Sequence, residues 1–364
     1  MTKMRFVFMM LLSFALVLAL PLAAQDDDEG AMSALVNVGE SEDFDAFLVG
    51  PDGMTLYMFV PDDANCVDQC LANWPPLTVE SADDLTLADG IPGTLGIYER
   101  EDMLQVTYND MPLYYFVADE EPGDMMGEGI NNVWYVVEPV MIYAAHGHED
   151  FGSFLVGPEG MTLYLFVPDD ANCVDQCLVN WPPLTVESAD DITISQRLSG
   201  ETGVFEREDG TLQVTYDDIP LYYFINDMMI GDVNGQGVND VWYIINTIGT
   251  RVTEEAGEYL VGPNGFALYL FVPDDANCVD QCLVNWPPLM VPVEGAITLS
   301  AGLTGEIGFF DRDGDLQVTY EGLPLYYFIN DASPAEINGQ GVNDVWFLIT
   351  PDGEAVELEG EAAE

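Results

Sequence analysis

Residues 56–76 read LYMFVPDDANCVDQCLANWPP, and the stretch returns as LYLFVPDDANCVDQCLVNWPP over 163–183 and again over 268–288. In a strand, successive side chains point to opposite faces. Tyr57 and Phe59 therefore share one face, and Leu56 and Met58 the other. Both faces are apolar, which is the pattern of a strand covered on two sides.

The copies set the organisation of the chain. Cys66, Cys173 and Cys278 lie 107 and 105 residues apart, a spacing too long for a solenoid unit and the size of a small domain. Three tandem repeats are expected over 35–139, 140–247 and 248–352, with an acidic linker over 25–34 and an acidic tail over 353–364. The joins fall near 139–150 and 248–258, where the copies differ most, and read as linkers.

Each repeat holds an older duplication. FLVGPDGMTLYMFVPD (47–62) aligns with LQVTYNDMPLYYFVAD (104–119), placing Tyr57 on Tyr114, Phe59 on Phe116 and Asp62 on Asp119. Every half then reaches a tryptophan: Trp74, Trp134, Trp181, Trp242, Trp286 and Trp346, which are all six in the chain. A residue type used only at one point of the half-repeat reads as a core anchor; the alternative is an exposed stacking platform.

Short runs of β-formers separated by Gly, Pro, Asn and Asp fill the remainder. Residues 47–49 and 55–60 flank Gly50-Pro51-Asp52-Gly53 as a hairpin. Residues 96–100, 104–108, 113–117 and 133–137 follow as a meander of sequential neighbours. The only helix expected is a short turn over 63–71 carrying the cysteines. The fold class is all-β: three tandem antiparallel sandwich-like or barrel-like domains, each of two pseudo-equivalent halves. A six-bladed propeller is the alternative.

Leu-Tyr-x-Phe-x-x-Asp, the cysteine pair, Trp-Pro-Pro-Leu, Gln-Val-Thr-Tyr, Pro-Leu-Tyr-Tyr-Phe-x-x-Asp and Gly-Gln-Gly-Val-Asn-x-Val-Trp resemble a bacterial family described as a secreted repeat of unknown function, predicted lipoproteins with a Yx(FWY)xxD motif. The resemblance covers nearly all of the chain beyond residue 24 and implies an exported protein. It implies no activity. No cysteine follows the apolar N-terminal run, so the chain departs from lipid-anchored members.

Residues 1–24 carry Lys3 and Arg5, an apolar run from Phe6 to Leu20 and a small-residue end at Ala23-Ala24, the order of a cleaved signal peptide. No later run approaches membrane-spanning length, so a secreted chain without membrane insertion is expected. The net charge is −58. Removing the leader leaves Arg100, Arg197, Arg207, Arg251 and Arg312 and not one lysine. Phosphate binding needs Lys and Arg, so nucleic acid is not a partner. A solvated acidic shell suited to salty surroundings and a surface that collects divalent cations are the two readings of such a charge.

Six cysteines at one spacing, in an exported chain, read as disulfides Cys66–Cys70, Cys173–Cys177 and Cys278–Cys282. The Cys-x-x-x-Cys spacing lacks the histidine of a haem attachment and the further ligands of a zinc site. His146 and His148 have no counterpart in the other repeats and read as a solvated join. Two acidic loops are Ca²⁺ candidates. Asp311, Asp313 and Asp315 alternate around Gly314, and Asp232, Asn234 and Asp240 lie in a Gly-rich loop; a hairpin turn and a structural loop are the alternatives. Arg100, Arg207 and Arg312 are equivalent and are expected to pair with carboxylates.

These residues point to a non-enzymatic repeat protein without a resident cofactor. It would act as a binding or structural module whose partner is a cell-envelope polymer or another extracellular protein, with tandem copies giving avidity. An extracellular metal-binding or redox-handling protein is the alternative.

Overall fold

Leu56 and Met58 are buried in an aliphatic cluster with Val36, Leu48, Leu77, Val106, Leu113 and Val137, while Tyr57 and Phe59 join an aromatic cluster with Trp74, Tyr114, Trp134 and the cysteines. The alternation of the sequence thus becomes two cores on the two faces of one sheet region. The computed structural model describes residues 34–357, apart from 42–43, 45, 60–65, 101–102, 149, 159, 168–172, 254, 273–277 and 313. The expected leader, most of the acidic linker, the end of the acidic tail, Asp62 and Asp313 lie outside the described residues.

In the first repeat the elements are β1 Asn37–Gly39, β2 Phe47–Val49, β3 Tyr57–Phe59, α1 Gln69–Asn73, β4 Thr78–Val79, β5 Leu95–Arg100, β6 Met103–Tyr108, β7 Met111–Pro112 and β8 Trp134–Val136. Among the described residues all but one of the pairings between strands are antiparallel; the exception is described below. β5, β6 and β7 are sequential antiparallel neighbours, as in the expected meander, but the third strand is Met111–Pro112 and not 113–117. The meander does not continue to β8. That strand crosses back to the first half and pairs with β3, Tyr57 facing Val136 and Phe59 facing Trp134. The half-repeats are therefore not self-contained blades, and the propeller alternative fails. Among the described residues the strands form sheets that are antiparallel but for that one pairing, without a closed barrel.

Tyr57 and Tyr114 exchange both backbone hydrogen bonds, at 2.8 and 2.9 Å. On either side of this pair lies a ring of three. Leu56 N–H donates to Leu48, Leu48 to Val137 and Val137 to Leu56, at 2.9, 2.8 and 3.1 Å. Leu113 donates to Val106, Val106 to Leu77 and Leu77 to Leu113, at 2.9, 2.8 and 3.0 Å. Leu56 and Leu113 are equivalent, as are Val137 and Leu77, while Leu48 and Val106 take the third place with a one-residue slip at the turn. The sequence duplication is thus a pseudo-twofold in the backbone, and each ring takes strands from both halves. Buried backbone groups need partners, and the second half supplies what the first leaves open.

The expected joins are strands. Tyr143–His148 forms β9 and pairs with β10, Gly152–Val156. His148 sits at the turn, its Nδ1 accepting from the Asp150 and Phe151 amides, so this residue does not belong to a solvated linker. The strand Asn246–Thr253 pairs with Gly257–Val261, touches β10 at Phe154, and accepts the parallel strand Ile297–Leu299. Repeats two and three consequently share one aliphatic cluster, from Ile142 and Leu155 to Val318 and Ile349, whereas that of the first repeat is separate. The three aromatic clusters remain distinct.

Candidate functional site

Each aromatic cluster is a column of four rings. Phe116 stacks on Trp74 at 4.2 Å, Trp74 on Trp134 at 3.7 Å with 3° between the planes, and Trp134 on Phe59 at 4.5 Å. Tyr57 and Tyr114 close the column edge-on against Trp74 and Trp134. The pseudo-twofold relates the two tryptophans. The same arrangement recurs around Trp181–Trp242 and Trp286–Trp346, each at 3.8 Å. All six tryptophans are buried. They hold the scaffold together and present no ring to a ligand.

Within this scaffold Tyr57 donates to Asp119 at 2.7 Å, and Tyr164 to Asp227 and Tyr269 to Asp331 at the same distance. The other carboxylate oxygen of Asp119 accepts from the Met126 amide, and the Tyr57 oxygen accepts from Gly127. Burial pushes the Asp119, Asp227 and Asp331 carboxyls above the ordinary carboxylate range, and the tyrosine bond pulls each partly back. Burial and then the aspartate hold the three tyrosines well above the ordinary tyrosine value, so they stay protonated and donate. The motif's Tyr and Asp are thus partners, but across the two halves and not within one copy.

On this scaffold sits the disulfide turn. Cys66–Cys70, Cys173–Cys177 and Cys278–Cys282 are bonded, each with its Cα atoms 5.2 Å apart. The first cysteine of each pair is fully buried and precedes the helix, which begins at Gln69 in α1 and correspondingly in α2 Gln176–Asn180 and α3 Gln281–Asn285. The expectation that both cysteines ride on one helical turn is therefore corrected: Asp68 stands between them at φ 49° and ψ −113°, outside helical geometry. Asp175 and Asp280 repeat this conformation at φ 52° and 51°. Such a backbone is disfavoured for any residue with a Cβ and stores about 1–3 kcal/mol.

Arg100 fixes the turn from beneath. Its Nε donates to Gln105 at 2.6 Å, and its terminal nitrogens donate to the Cys66 carbonyl at 3.0 Å and the Tyr114 hydroxyl at 2.9 Å. Gln105 is fully buried and donates in turn to the Leu113 carbonyl. Arg312 repeats the set on Gln317, Cys278 and Tyr326, and Arg207 bonds Gln213 and Cys173. Among the described residues these partners are neutral acceptors, not the carboxylates expected. Arg207 is buried and Arg100 and Arg312 half-buried, and the guanidinium groups of the latter two also lie over the rings of Tyr98 and Phe310.

Each turn presents an apolar side chain to solvent beside polar ones. Val67, Val174 and Val279, each directly after the buried cysteine, are 52%, 52% and 54% exposed. Val179 and Val284 are exposed in the last turn of α2 and α3. Val117, Ile225 and Ile329 are exposed beside the helix end, their amides bonded to the carbonyls of Asn73, Asn180 and Asn285 at 3.0, 2.9 and 3.0 Å. Asp68, Asp175 and Asp280 lie exposed next to the valines.

The acidic loops are differently used. Asp232 accepts from the Met228 and Met229 amides through one carboxylate oxygen, as Asp124 does from Glu120 and Glu121. Asn234 donates through its amide to Asp227 and through its side chain to the Asn226 carbonyl. Asp240 sits at φ 57° and donates to the Gly237 carbonyl. Asp311 and Asp315 flank the tip of a hairpin, and Asp311 accepts from Gly314. Among the described residues no three His, Cys, Asp or Glu side chains converge as metal ligands do.

Sequence reasoning missed one contact altogether. Arg197 of the second repeat reaches Glu128 at 2.9 Å and Glu138, both of the first. Glu138 is buried and also accepts from Ser195 Oγ and the Gln196 amide at 3.0 Å. The signal was present: Glu128 stands where the other repeats carry Gln236 and Gln340. All three accept from an equivalent backbone amide, but only the glutamate leaves a charged oxygen for Arg197.

The profile of a secreted repeat of unknown function matches six segments, residues 46–78, 98–138, 148–185, 203–246, 250–290 and 310–350. The chain belongs to this family. Each match holds one Tyr-x-Phe and one tryptophan, so the unit of the secreted-repeat family is the half-repeat, and the folded unit is two of them interlocked. No curated protein and no solved structure matches the chain. Among the described residues no helix is long and apolar enough to cross a membrane.

Proposed function

We propose that this member of the secreted-repeat family is a non-enzymatic, multivalent binding module of the cell envelope or extracellular matrix, and that the disulfide turns are its contact surfaces. The observation that carries this reading is the exposed valine directly after each buried cysteine. An apolar side chain is held in water on a strained, covalently closed turn, three times over. The same chain buries every tryptophan. A turn already closed by a disulfide and fixed by an arginine loses little entropy on binding, which is the advantage of preorganisation. Three copies on one chain add avidity for a repeated or crowded partner.

The test uses the full chain and a variant carrying Val67→Ser, Val174→Ser and Val279→Ser. These positions are half exposed, so the variant should melt with the parent. Retention of the parent on isolated envelope or matrix material, lost in the variant, is expected. Equal retention of the two would overturn the assignment of the turns.

A further inference from the structure

We infer that the partner taken by the disulfide turns is a polypeptide presenting a cationic amphipathic helix. This rests on the binding reading above and names the chemistry that would satisfy it.

Two properties of the surface select the occupant. The first is apolar. In the second repeat Val174 lies two residues before a five-residue helix, Val179 is in its last turn, and Ile225 is bonded to its last residue. Two residues of extended chain and three of helix put Val174 and Val179 no more than about 12 Å apart, about two turns of an apposed helix. Val279, Val284 and Ile329 repeat the set, and Val67 and Val117 keep its outer members in the first repeat. Apolar residues at i, i+3 or i+4 and i+7 on a helical partner match this span.

The second property is charge. Asp68, Asp175 and Asp280 stand exposed beside these valines, on a chain of net charge −58. Like-charge juxtaposition across an interface costs several kcal/mol. A second copy of this chain, an anionic polymer and nucleic acid are thereby disfavoured as occupants. An apolar stripe flanked by Lys or Arg is favoured on both counts, and long-range attraction would speed its capture at low ionic strength. Lys and Arg also carry apolar stems that can lie over valine while the charge reaches the aspartate.

The experiment titrates the full chain, by calorimetry at low salt, with three synthetic peptides of about 14 residues, or four helical turns. One is an amphipathic Leu/Lys helix. The second replaces its leucines by serine and keeps the charge. The third replaces its lysines by glutamate and keeps the leucines. The Leu/Lys peptide should bind at three sites and about tenfold or more tighter than the Lys/Ser peptide, the factor expected from removing one well-buried aliphatic contact. The Glu/Leu peptide should not bind. The triple valine variant should lose about tenfold for the Leu/Lys peptide.

Equal affinity for the Leu/Lys and Lys/Ser peptides would reduce the effect to polyelectrolyte attraction and overturn the inference. So would undiminished binding by the valine variant. Failure of the Leu/Lys peptide together with valine-dependent retention on envelope material would remove the cationic helix and leave the binding module standing. Failure of both would remove the turns as a contact surface.

Discussion

The Tyr57 hydroxyl donates to the Asp119 carboxylate at 2.7 Å, and the two residues come from different halves of the repeat. The bond joins the halves at a buried point, beside the Gly127 amide that donates to the same tyrosine oxygen. Replacing Tyr57 by Phe leaves one carboxylate oxygen and one amide without this partner. Loss of about 1–3 kcal/mol is expected, read as a lower denaturant midpoint at unchanged slope. The equivalent Tyr114 hydroxyl accepts from the Arg100 guanidinium, so Tyr114→Phe should cost a comparable amount, about 1–3 kcal/mol. No loss in either variant would mean that the ring contacts, and not the hydroxyl partners, decide both.

The same aspartates fix the direction of the pH response. Asp119, Asp227 and Asp331 are held above the ordinary carboxylate range, chiefly by burial. A group raised in the folded state binds its proton more tightly there than when unfolded. Its stabilisation is full below the unfolded value, about 3.9, and fades as pH rises through the folded value. Asp124, Asp209 and Glu336 are held below their ordinary values by backbone amides, and their contribution disappears only as pH falls below about 4. Relief of self-repulsion acts in the same direction as the first set. At constant ionic strength the melting temperature should therefore rise as pH falls from neutrality toward the unfolded carboxylate value of about 4, and lose the contribution of the lowered groups below it. A steady fall from neutrality would contradict the burial of the three carboxylates.

The duplication, the two-faced strand and the buried tryptophans were legible in the sequence because each is a local period. Tyr-x-Phe fixes a face, and a rare residue at one point of every copy marks a core. The crossing of β3 to β8 was not legible, since nothing local distinguishes Trp134 returning to Phe59 from Trp134 continuing the meander. The same blindness hid the bond from Tyr57 to Asp119, because each motif contains its own Tyr and Asp five residues apart. Val67 looked like an ordinary residue between two cysteines; only the burial of Cys66 and the backbone of Asp68 turn it outward.

Gly127 shows why its loop is glycine-rich. A Cβ there would stand 2.7 Å from the rings of both Trp74 and Tyr57. Gly129, two residues on, has open space around it but φ +71°. Gly129→Ala should then cost about 1 kcal/mol of backbone strain. Gly127→Ala should cost about 1–3 kcal/mol of overpacking and disturb the near-ultraviolet circular dichroism of the tryptophan column. An unchanged spectrum in Gly127→Ala would show that the column is looser than its 3.7 Å spacing implies.

Asp175 permits a test with the opposite sign. Glycine at its φ of 52° and ψ of −117° relieves the Cβ strain, worth about 1–3 kcal/mol, against about 1 kcal/mol of added chain entropy. Asp175→Gly should be stabilising by about 1 kcal/mol, measured by chemical denaturation, although it replaces the residue at the mouth of the proposed contact surface. A destabilised variant would place a structural role on the aspartate side chain.

Arg197 crosses the junction of repeats one and two, where Asn109 also donates to the Pro158 carbonyl. Its pair with Glu128 is partly exposed, 23% and 28% for the two side chains, and should be worth no more than about 1 kcal/mol. Its pair with Glu138 differs, because that side chain is only 4% exposed. Removing the guanidinium leaves a buried carboxylate held by neutral donors, Ser195 Oγ and the Gln196 amide. Arg197→Ala is thus expected to cost about 3 kcal/mol, and Glu128→Gln, which keeps the bond to the Val136 amide, well under about 1 kcal/mol. Repeats two and three share an aliphatic core that the first does not enter, so the loss should fall on the first repeat. Calorimetry of Arg197→Ala should resolve a separate early transition carrying about a third of the enthalpy, in proportion to chain length. A single transition shifted as a whole would show instead that the first repeat is bound to the others by contacts Arg197 does not control.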